Sequence, residues 1–107
     1  MKSYKYIIIM GIILLFCGCS KKHKYKACFT IDKPTANTSE IITFQNCSDY
    51  DGGYTNSLWN FGDGATANSN DNAAVQHSYA SPGTYQVILY VGEKENQSEQ
   101  TKSITIR

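Results

Sequence analysis

The segment Pro82–Val91 reads Pro-Gly-Thr-Tyr-Gln-Val-Ile-Leu-Tyr-Val, and no other part of the chain alternates as regularly. Tyr85, Val87, Leu89 and Val91 place an aromatic or apolar side chain at every second position. Because successive side chains of a β-strand point to opposite faces, this period of two predicts a long strand with one face in a core. The Pro-Gly pair in front of it predicts the turn from which the strand starts.

Shorter segments with the same period occur on both sides of this strand, and no helical period of useful length occurs after residue 26. The predicted strands span about residues 28–33, 40–47, 58–61, 74–80, 85–91 and 104–106. Residues 65–74, rich in small polar side chains, are predicted to form a loop or a weak edge strand, where a partner could add a strand. Six or seven short strands in about eighty residues predict an all-β fold, an immunoglobulin-like sandwich of two antiparallel sheets.

Charge is unevenly distributed along the 107 residues. Six of the ten basic residues precede residue 27, whereas residues 27–107 contain four basic residues and all nine acidic ones, a net charge of −5. Such a surface repels nucleic-acid phosphates, so no nucleic-acid partner is expected for this part of the chain. The length allows one domain and excludes a large multidomain enzyme.

Residues 1–18 are predicted to be the cleaved signal peptide of a bacterial lipoprotein. Lysines precede an apolar run of ten residues. As a helix this run would rise only about 15 Å, half of what a membrane span needs. The run ends at Cys17-Gly18-Cys19, which resembles a lipobox, and Gly18 directly before it makes Cys19 the predicted lipidation site. Cys17 is the weaker alternative site, and an ordinary secretory signal is the other alternative.

Residues 19–26 are predicted to form the lipidated cysteine and a short basic tether. The segment Ser20–Lys26 contains four lysines and no acid, so it cannot build a core and is expected to be extended. Its lysines either adhere to anionic headgroups, at about 1 kcal/mol each near the surface, or form a solvated spacer. Ser20 after the modified cysteine resembles an outer-membrane sorting signal. The expected location is therefore the bacterial cell envelope, at the outer membrane, with its facing side left open.

Cys28 and Cys47 remain once the signal peptide and the lipidated cysteine are set aside, an even pair in an oxidising compartment. If the first two strands pair antiparallel with Ile31 opposite Phe44, Cys28 also lies opposite Cys47. This register predicts a disulfide that stabilises the fold by roughly 3 kcal/mol in the chain-entropy model. Two free thiols or half of a metal site are the alternatives.

Three blocks of the chain stand out, which are Trp59-Asn60-Phe61-Gly62-Asp63-Gly64, His77-Ser78-Tyr79 and Pro82–Val91. Together they resemble the pattern of the PKD domain family, W-D-F-G-D-G…H-x-Y…P-G-x-Y-x-V-x-L-x-V. The blocks occur in order at suitable distances, and the match spans most of residues 27–107. The resemblance implies a PKD-like immunoglobulin-type sandwich at 27–107 that serves as a non-catalytic extracellular module.

The first block is expected to build the fold. Trp59 and Phe61 share one face of a strand and supply a large area for burial. Gly62-Asp63-Gly64 allows a tight hairpin with positive φ. Asn60 stands where the family usually has aspartate, so no role of that carboxylate carries over.

The second and third blocks are also expected to be structural. The resemblance makes His77 a structural residue bonded near the turn, on the same face as Tyr79. Tyr85, two residues after Gly83, is expected to fill the core with its ring. Its hydroxyl is expected to bond back to a turn, as in a tyrosine corner.

No catalytic constellation accompanies these blocks. His77 is the only histidine of residues 27–107, and no nucleophile motif such as Gly-x-Ser-x-Gly occurs, so the chain is predicted not to be an enzyme. No cofactor is expected. The less favoured alternative is a calcium ion at the acids in or beside predicted turns, which are Asp49, Asp51, Asp63 and Asp71.

The loop of residues 49–56 is the candidate ligand site. Tyr50 and Tyr54, among glycines and short polar side chains, suit stacking on a sugar or adaptable contact with a protein; alternatively, they cover the end of the sandwich. The sequence thus predicts a membrane-anchored extracytoplasmic lipoprotein whose partners are membrane lipid, at Cys19, and a protein or glycan ligand. A structural spacer or assembly subunit of an envelope complex is the alternative.

Overall fold

The computed structural model describes residues 24–50, 56–70, 73–92 and 97–107. Every regular element in these ranges is a strand, so the all-β prediction is confirmed. The strands are β1 (Tyr25–Lys26), β2 (Phe29–Ile31), β3 (Thr35–Ala36), β4 (Ile42–Asn46), β5 (Asp49–Tyr50), β6 (Asn56–Asn60), β7 (Thr66–Asn70), β8 (Ala74–His77), β9 (Gly83–Val91) and β10 (Ser98–Ile106). Within the same ranges, no helix has the length and apolar character needed to cross a bilayer.

Two sheets pack face to face. The larger has five strands in the order β3-β10-β9-β6-β7, and the smaller has three in the order β2-β4-β8. Neighbouring strands are antiparallel except β10 and β3, which pair in parallel over two residues. The two-sheet sandwich is as predicted from the sequence. A separate pair, β1 with β5, forms at one end.

Trp59 lies at the centre of the core and is completely buried. The edge of its ring meets Phe29 of the smaller sheet at a centroid distance of 5.3 Å, and Phe44 lies 5.9 Å away. The indole N–H donates to Ser69 Oγ at 3.0 Å, so the polar atom of this residue is satisfied as well. The core therefore joins β6 to the opposite sheet and to the neighbouring strand β7.

The register between β2 and β4 places Ile31 opposite Phe44 and Phe29 opposite Asn46. Next along the ladder, Cys28 and Cys47 form a disulfide, with their Cα atoms 4.9 Å apart. The Cys47 N–H also donates to the Cys28 carbonyl at 2.9 Å. The predicted disulfide is confirmed, and the alternatives of two free thiols or half of a metal site are wrong.

Several strand boundaries differ from the prediction. Residues 66–70 form the edge strand β7, which settles the choice between a loop and a strand. β10 begins at Ser98, well before the predicted 104. Polar side chains of its first half accept hydrogen bonds from the Ala27 and Phe29 N–H groups, so this half needs no apolar signal. Tyr25 and Lys26, assigned to the tether, form β1, and the Tyr25 ring lies close against Gly92.

The turn after β6 depends on two glycines with positive φ, Gly62 at 87° and Gly64 at 97°. A Cβ on Gly62 would stand 2.6 Å from the backbone oxygen of Gln86, whereas a Cβ on Gly64 would meet nothing within 4 Å. Both positions therefore have a backbone conformation that favours glycine, but only Gly62 also lacks room for a side chain.

We expect Gly64→Ala to lower the free energy of unfolding by about 1 kcal/mol, the cost of a side chain at positive φ. Gly62→Ala should cost clearly more, because the new methyl group would also press on the backbone of β9. Urea unfolding followed by Trp59 fluorescence measures both. Equal losses in the two variants would contradict the close approach at Gly62.

Candidate functional site

The motif residues around the turn form one hydrogen-bonded cluster. Asp63 Oδ2 lies 2.8 Å from His77 Nε2, and Asp63 Oδ1 accepts the Ala65 N–H at 3.1 Å. The His77 ring stacks on Phe61 at a centroid distance of 4.1 Å. The buried hydroxyl of Tyr79 donates to the Phe61 carbonyl at 2.9 Å. The bonds from Asp63 to His77 and from Tyr79 to Phe61 thus hold the turn against β8 and the segment that follows it.

Two pKa values reflect this packing. Burial raises the pKa of the Asp63 carboxyl, but the hydrogen bond from His77, the Ala65 N–H and the charge of His77 outweigh it, so the net pKa lies below 3.8. Burial is also the main cause that raises the pKa of the Tyr79 hydroxyl, with smaller contributions from Asp63 and Tyr85. The Tyr79 hydroxyl therefore stays protonated and remains a hydrogen-bond donor.

Tyr85 completes the same end of the sandwich. Its hydroxyl donates to the Ser81 carbonyl at 2.7 Å, and its ring stacks on Tyr79 with 4.4 Å between centroids. Asn60 also has a role in the turn, since its amide oxygen accepts the Gly62 N–H at 3.0 Å. An amide oxygen supplies this bond as a carboxylate would, without the charge.

The cluster is not arranged for catalysis. The His77 ring is held between Asp63, the Phe61 ring and the edge of Tyr79, 4.7 Å away. Among the described residues, no serine or cysteine side chain is hydrogen-bonded to it. A histidine–carboxylate pair without a nucleophile supplies a structural bond and no acyl-transfer centre.

The predicted ligand and calcium residues are only partly described. The described ranges include the backbone of Tyr50 in β5, whereas Tyr54, Asp51 and Asp71 lie outside them. Asp49 belongs to β5 at the Tyr25 end of the sandwich, and Asp63 lies in the turn at the opposite end. Within these ranges no three histidine, cysteine, aspartate or glutamate residues are grouped as a metal site would require.

The structure brings together a different surface, the solvent-facing side of the five-stranded sheet, which we call the outer face. Val87, Leu89 and Val91 point into the core, so the intervening residues of β9 point outward together with their cross-strand neighbours. The outer face consists of Thr35, Asn56, Leu58, Asn60, Thr66, Asn68, Asn70, Thr84, Gln86, Ile88, Tyr90, Glu99, Thr101, Ser103 and Thr105.

Three apolar side chains, Leu58, Ile88 and Tyr90, form a patch on the outer face that we call the apolar trio. Leu58 lies directly opposite Tyr90 and is 39% exposed; Tyr90 and Ile88 are partly buried. Side chains of amide and hydroxyl type flank the trio on the neighbouring strands; they are Asn60, Asn68 and Thr101.

The outer face is almost free of charge. Glu99, next to Tyr90, is its one charged side chain among the described residues, although residues 27–107 carry a net charge of −5. Surfaces of small soluble domains usually carry a quarter or more of charged residues. An apolar patch in a field of amides and hydroxyls suits a ligand that offers both apolar C–H faces and neutral hydroxyl groups.

The apolar trio was not predicted from the sequence, because the alternation of β9 by itself indicates only the residues that face the core. The signal was available, since residues 87–91 are apolar or aromatic at every position, inward and outward. A solvated face should alternate with polar residues. Apolar side chains at Ile88 and Tyr90, the two outward positions of residues 87–91, indicate a surface that contacts a ligand or partner.

The family model of the PKD domain matches residues 26–107. The chain belongs to the PKD domain family. PKD domains are generally non-catalytic modules, which agrees with the prediction that this chain is not an enzyme. No protein in the curated comparison matches.

Solved structures share the fold of this PKD domain. One, from a study of the promiscuous specificity of carbohydrate-binding modules of the β-sandwich superfamily, has a TM-score of 0.72 and 31% identity, and the match covers 81% of this chain and 36% of that one. The PKD1 domain of Vibrio cholerae metalloprotease PrtV matches with a TM-score of 0.63 and 27% identity over 78% of this chain and 96% of that one. The PKD domain of the human receptor SorCS2 has a TM-score of 0.68 and 18% identity over 82% of this chain and 79% of that one.

The lowered pKa of Asp63 predicts a pH dependence. A carboxyl whose pKa is depressed by folding contributes stability above its unfolded value, near 3.8, and loses it as the pH falls through the folded value. Asp63→Asn keeps the acceptor oxygen but cannot titrate. Urea unfolding between pH 7 and pH 2 should therefore show a smaller acid-induced loss for Asp63→Asn than for the parent. An equal acid-induced loss of unfolding free energy in the two proteins would contradict the role of the carboxylate.

Proposed function

We propose that this protein is a lipid-anchored module of the bacterial cell envelope that binds uncharged polysaccharide across its outer face. The observation that carries the proposal is the apolar trio within an almost uncharged field of amides and hydroxyls. The module performs no chemistry in this role. It keeps the envelope, or an enzyme or protein complex near it, in contact with a polymer.

The chemistry of the trio matches a sugar ring. A pyranose has apolar C–H faces that stack on an aromatic ring such as Tyr90 and on aliphatic side chains such as Leu58. Its hydroxyls need partners that both donate and accept, which the amides of Asn60 and Asn68 provide. A ligand rich in phosphate or sulfate would need lysine or arginine, and the outer face has neither among its described residues.

The match to part of a chain from a study of carbohydrate-binding modules, at 31% identity over 36% of that chain, supports the same ligand class. A protein ligand is less well supported. Protein interfaces concentrate their binding energy in tryptophan, tyrosine and arginine, and the outer face offers one tyrosine without the other two. We therefore commit to the glycan and treat a protein-bound spacer as the rival outcome.

Affinity electrophoresis in gels that contain soluble neutral polysaccharide, such as β-glucan, xylan or mannan, tests this proposal. The parent should be retarded by at least one of them. Tyr90→Ala should bind about tenfold more weakly, as expected for the loss of about 1.4 kcal/mol of stacking. Gln76→Ala, an exposed change on the opposite sheet, is the matched control and should bind like the parent.

Retardation is expected to be the same in Ca²⁺ and in EDTA, since no metal is assigned to the outer face. No retardation by any neutral polysaccharide, or equal retardation of parent and Tyr90→Ala, would contradict the proposal. If the chain then co-purified with envelope proteins, the spacer role would replace it.

The proposed anchor is supported by the sequence and by the short distance along the chain between Cys19 and the first strand. Tyr25 is held in β1 against Gly92, and residues 20–24 alone separate it from Cys19. Six residue steps of extended chain reach at most about 20 Å, so the Tyr25 end of the sandwich would stay close to the lipid surface. The lysines of this short tether would face the headgroups. Ser20 is the basis for proposing the outer membrane.

Metabolic labelling with an alkyne analogue of palmitate tests the anchor. Cys19→Ser should lose the label and move from the membrane fraction to the soluble fraction, because the acylated residue is gone. Cys17→Ser, the matched control two residues earlier, should keep the label and stay in the membrane fraction. Loss of label in Cys17→Ser alone would assign the lipid to that residue, and an unlabelled parent would indicate an ordinary secretory signal.

A further inference from the structure

Two edge strands of the sandwich, β2 and β7, are closed to different degrees. Next to β2, side chains of β10 occupy the free N–H groups of the edge: Ala27 N–H donates to Ser98 Oγ at 3.0 Å, and Phe29 N–H donates to Gln100 Oε1 at 2.9 Å. β2 therefore cannot readily accept another strand on that side.

Among the described residues, no such cover is found at Thr66 and Asn68 of the edge strand β7. At the start of the hairpin, Phe61 N–H donates to the Ala65 carbonyl at 3.1 Å. Hydrogen-bonded pairs recur every second residue of an antiparallel ladder, so Ala67 and Ser69 bond to β6. Thr66 and Asn68 then point their backbone N–H and C=O groups away from the sheet, and neither has a hydrogen-bond partner there among the described residues.

The composition of β7 also leaves the edge open. Natural proteins protect edge strands with charged side chains, proline or a bulge. β7 reads Thr-Ala-Asn-Ser-Asn, which contains no charge and no proline, and its five residues pair with β6 without interruption. Elsewhere the domain is acidic, with a net charge of −5 over residues 27–107, so two copies would repel each other across most other contacts.

We propose that β7 pairs with β7 of a second copy of this chain, antiparallel and about a two-fold axis at Asn68. Asn68 of one copy would exchange both backbone hydrogen bonds with Asn68 of the second copy. Thr66 would lie opposite Asn70 of the second copy, and Asn70 opposite Thr66. The Asn70 carbonyl would then accept a second hydrogen bond beside that from the Ala73 N–H at 3.1 Å. The pairing is isologous, which means that the same edge of both copies forms the contact. The outward backbone groups of one β7 would bond to those of the other, and no second kind of surface is needed.

The dimer has a direct consequence for the outer face. A two-fold axis perpendicular to the sheet keeps both outer faces on the same side of one ten-stranded sheet. The two Tyr90 side chains, on strands five spacings apart, would lie about 24 Å from each other. Such spacing allows one polymer to engage both copies, which raises the overall affinity without any new contact.

The same axis fixes the orientation on a membrane, if the anchor proposed above is present. Antiparallel pairing puts the two Tyr25 ends at opposite ends of the dimer. Both tethers reach one lipid surface only when the axis is normal to it, with the strands lying parallel to the membrane. The outer faces of both copies can then point away from the lipid, toward a polymer.

The interface is small. Five residues from each copy bury far less than the roughly 1,000 Å² expected of a stable dimer, so pairing should be weak in dilute solution. Confinement to a membrane raises the local concentration and favours it. The test is therefore made on the full chain in its membrane, with a covalent trap.

The trap uses single cysteines on exposed positions of β7, treated with a one-carbon bis-methanethiosulfonate in isolated envelope membranes. Asn68→Cys should give a crosslinked homodimer of twice the 11.9 kDa chain, allowing for processing and lipid. Thr66→Cys alone should not, because its two copies would be about 13 Å apart. Thr66→Cys mixed with Asn70→Cys should crosslink, which checks the register.

Thr101→Cys, on the interior strand β10 of the same outer face, is the control for random collision and should not crosslink. Buried Trp59 fluorescence confirms that each variant is folded. Crosslinking of Thr101→Cys or Thr66→Cys as strong as that of Asn68→Cys would overturn the proposal, as would no homodimer for Asn68→Cys. A product of Asn68→Cys with a different protein would assign the edge to that partner instead.

Discussion

The burial of Trp59 between the two sheets is the interaction on which the rest of the structure depends. Its ring contacts Phe29 and Phe44 on the opposite sheet, and its N–H donates to Ser69 on β7. One side chain therefore fixes the distance between the sheets and holds the edge strand in register. The hydrogen bond matters because an indole N–H without a partner in such a core would cost free energy.

The end of the sandwich beyond β6 is held together by hydrogen bonds between polar groups, in addition to the packing of the core. Asp63, His77 and the Tyr79 hydroxyl tie the turn to β8 and its following segment, and the Tyr85 hydroxyl ties β9 to the turn before it. Because these groups are occupied by structural bonds, the most recognisable residues of the family are unavailable for binding. The proposed binding therefore uses surface positions that the motif leaves variable, such as Ile88 and Tyr90.

Two such surfaces adjoin each other in this molecule. The outer face carries the apolar trio in an uncharged surround, and β7 ends that face with an uncharged edge. The absence of lysine and arginine is favourable for both roles, since charge would hinder stacking of a neutral sugar and would repel an identical edge. Pairing of two edges would enlarge one continuous binding surface, so the two proposed roles reinforce each other.

The sequence by itself determined the fold class, the motif turn and the disulfide, because these depend on local period, on glycine at positive φ and on a register that a few apolar residues specify. It did not determine the length of β10, since the hydrogen bonds that Ser98 and Gln100 side chains accept from the Ala27 and Phe29 N–H groups leave no periodic signal. Only the tertiary structure decided which residues share the outer face. Leu58 and Tyr90 are far apart along the chain, and it is the pairing of β6 with β9 that sets them side by side. Such neighbours follow from strand order, which local patterns do not encode.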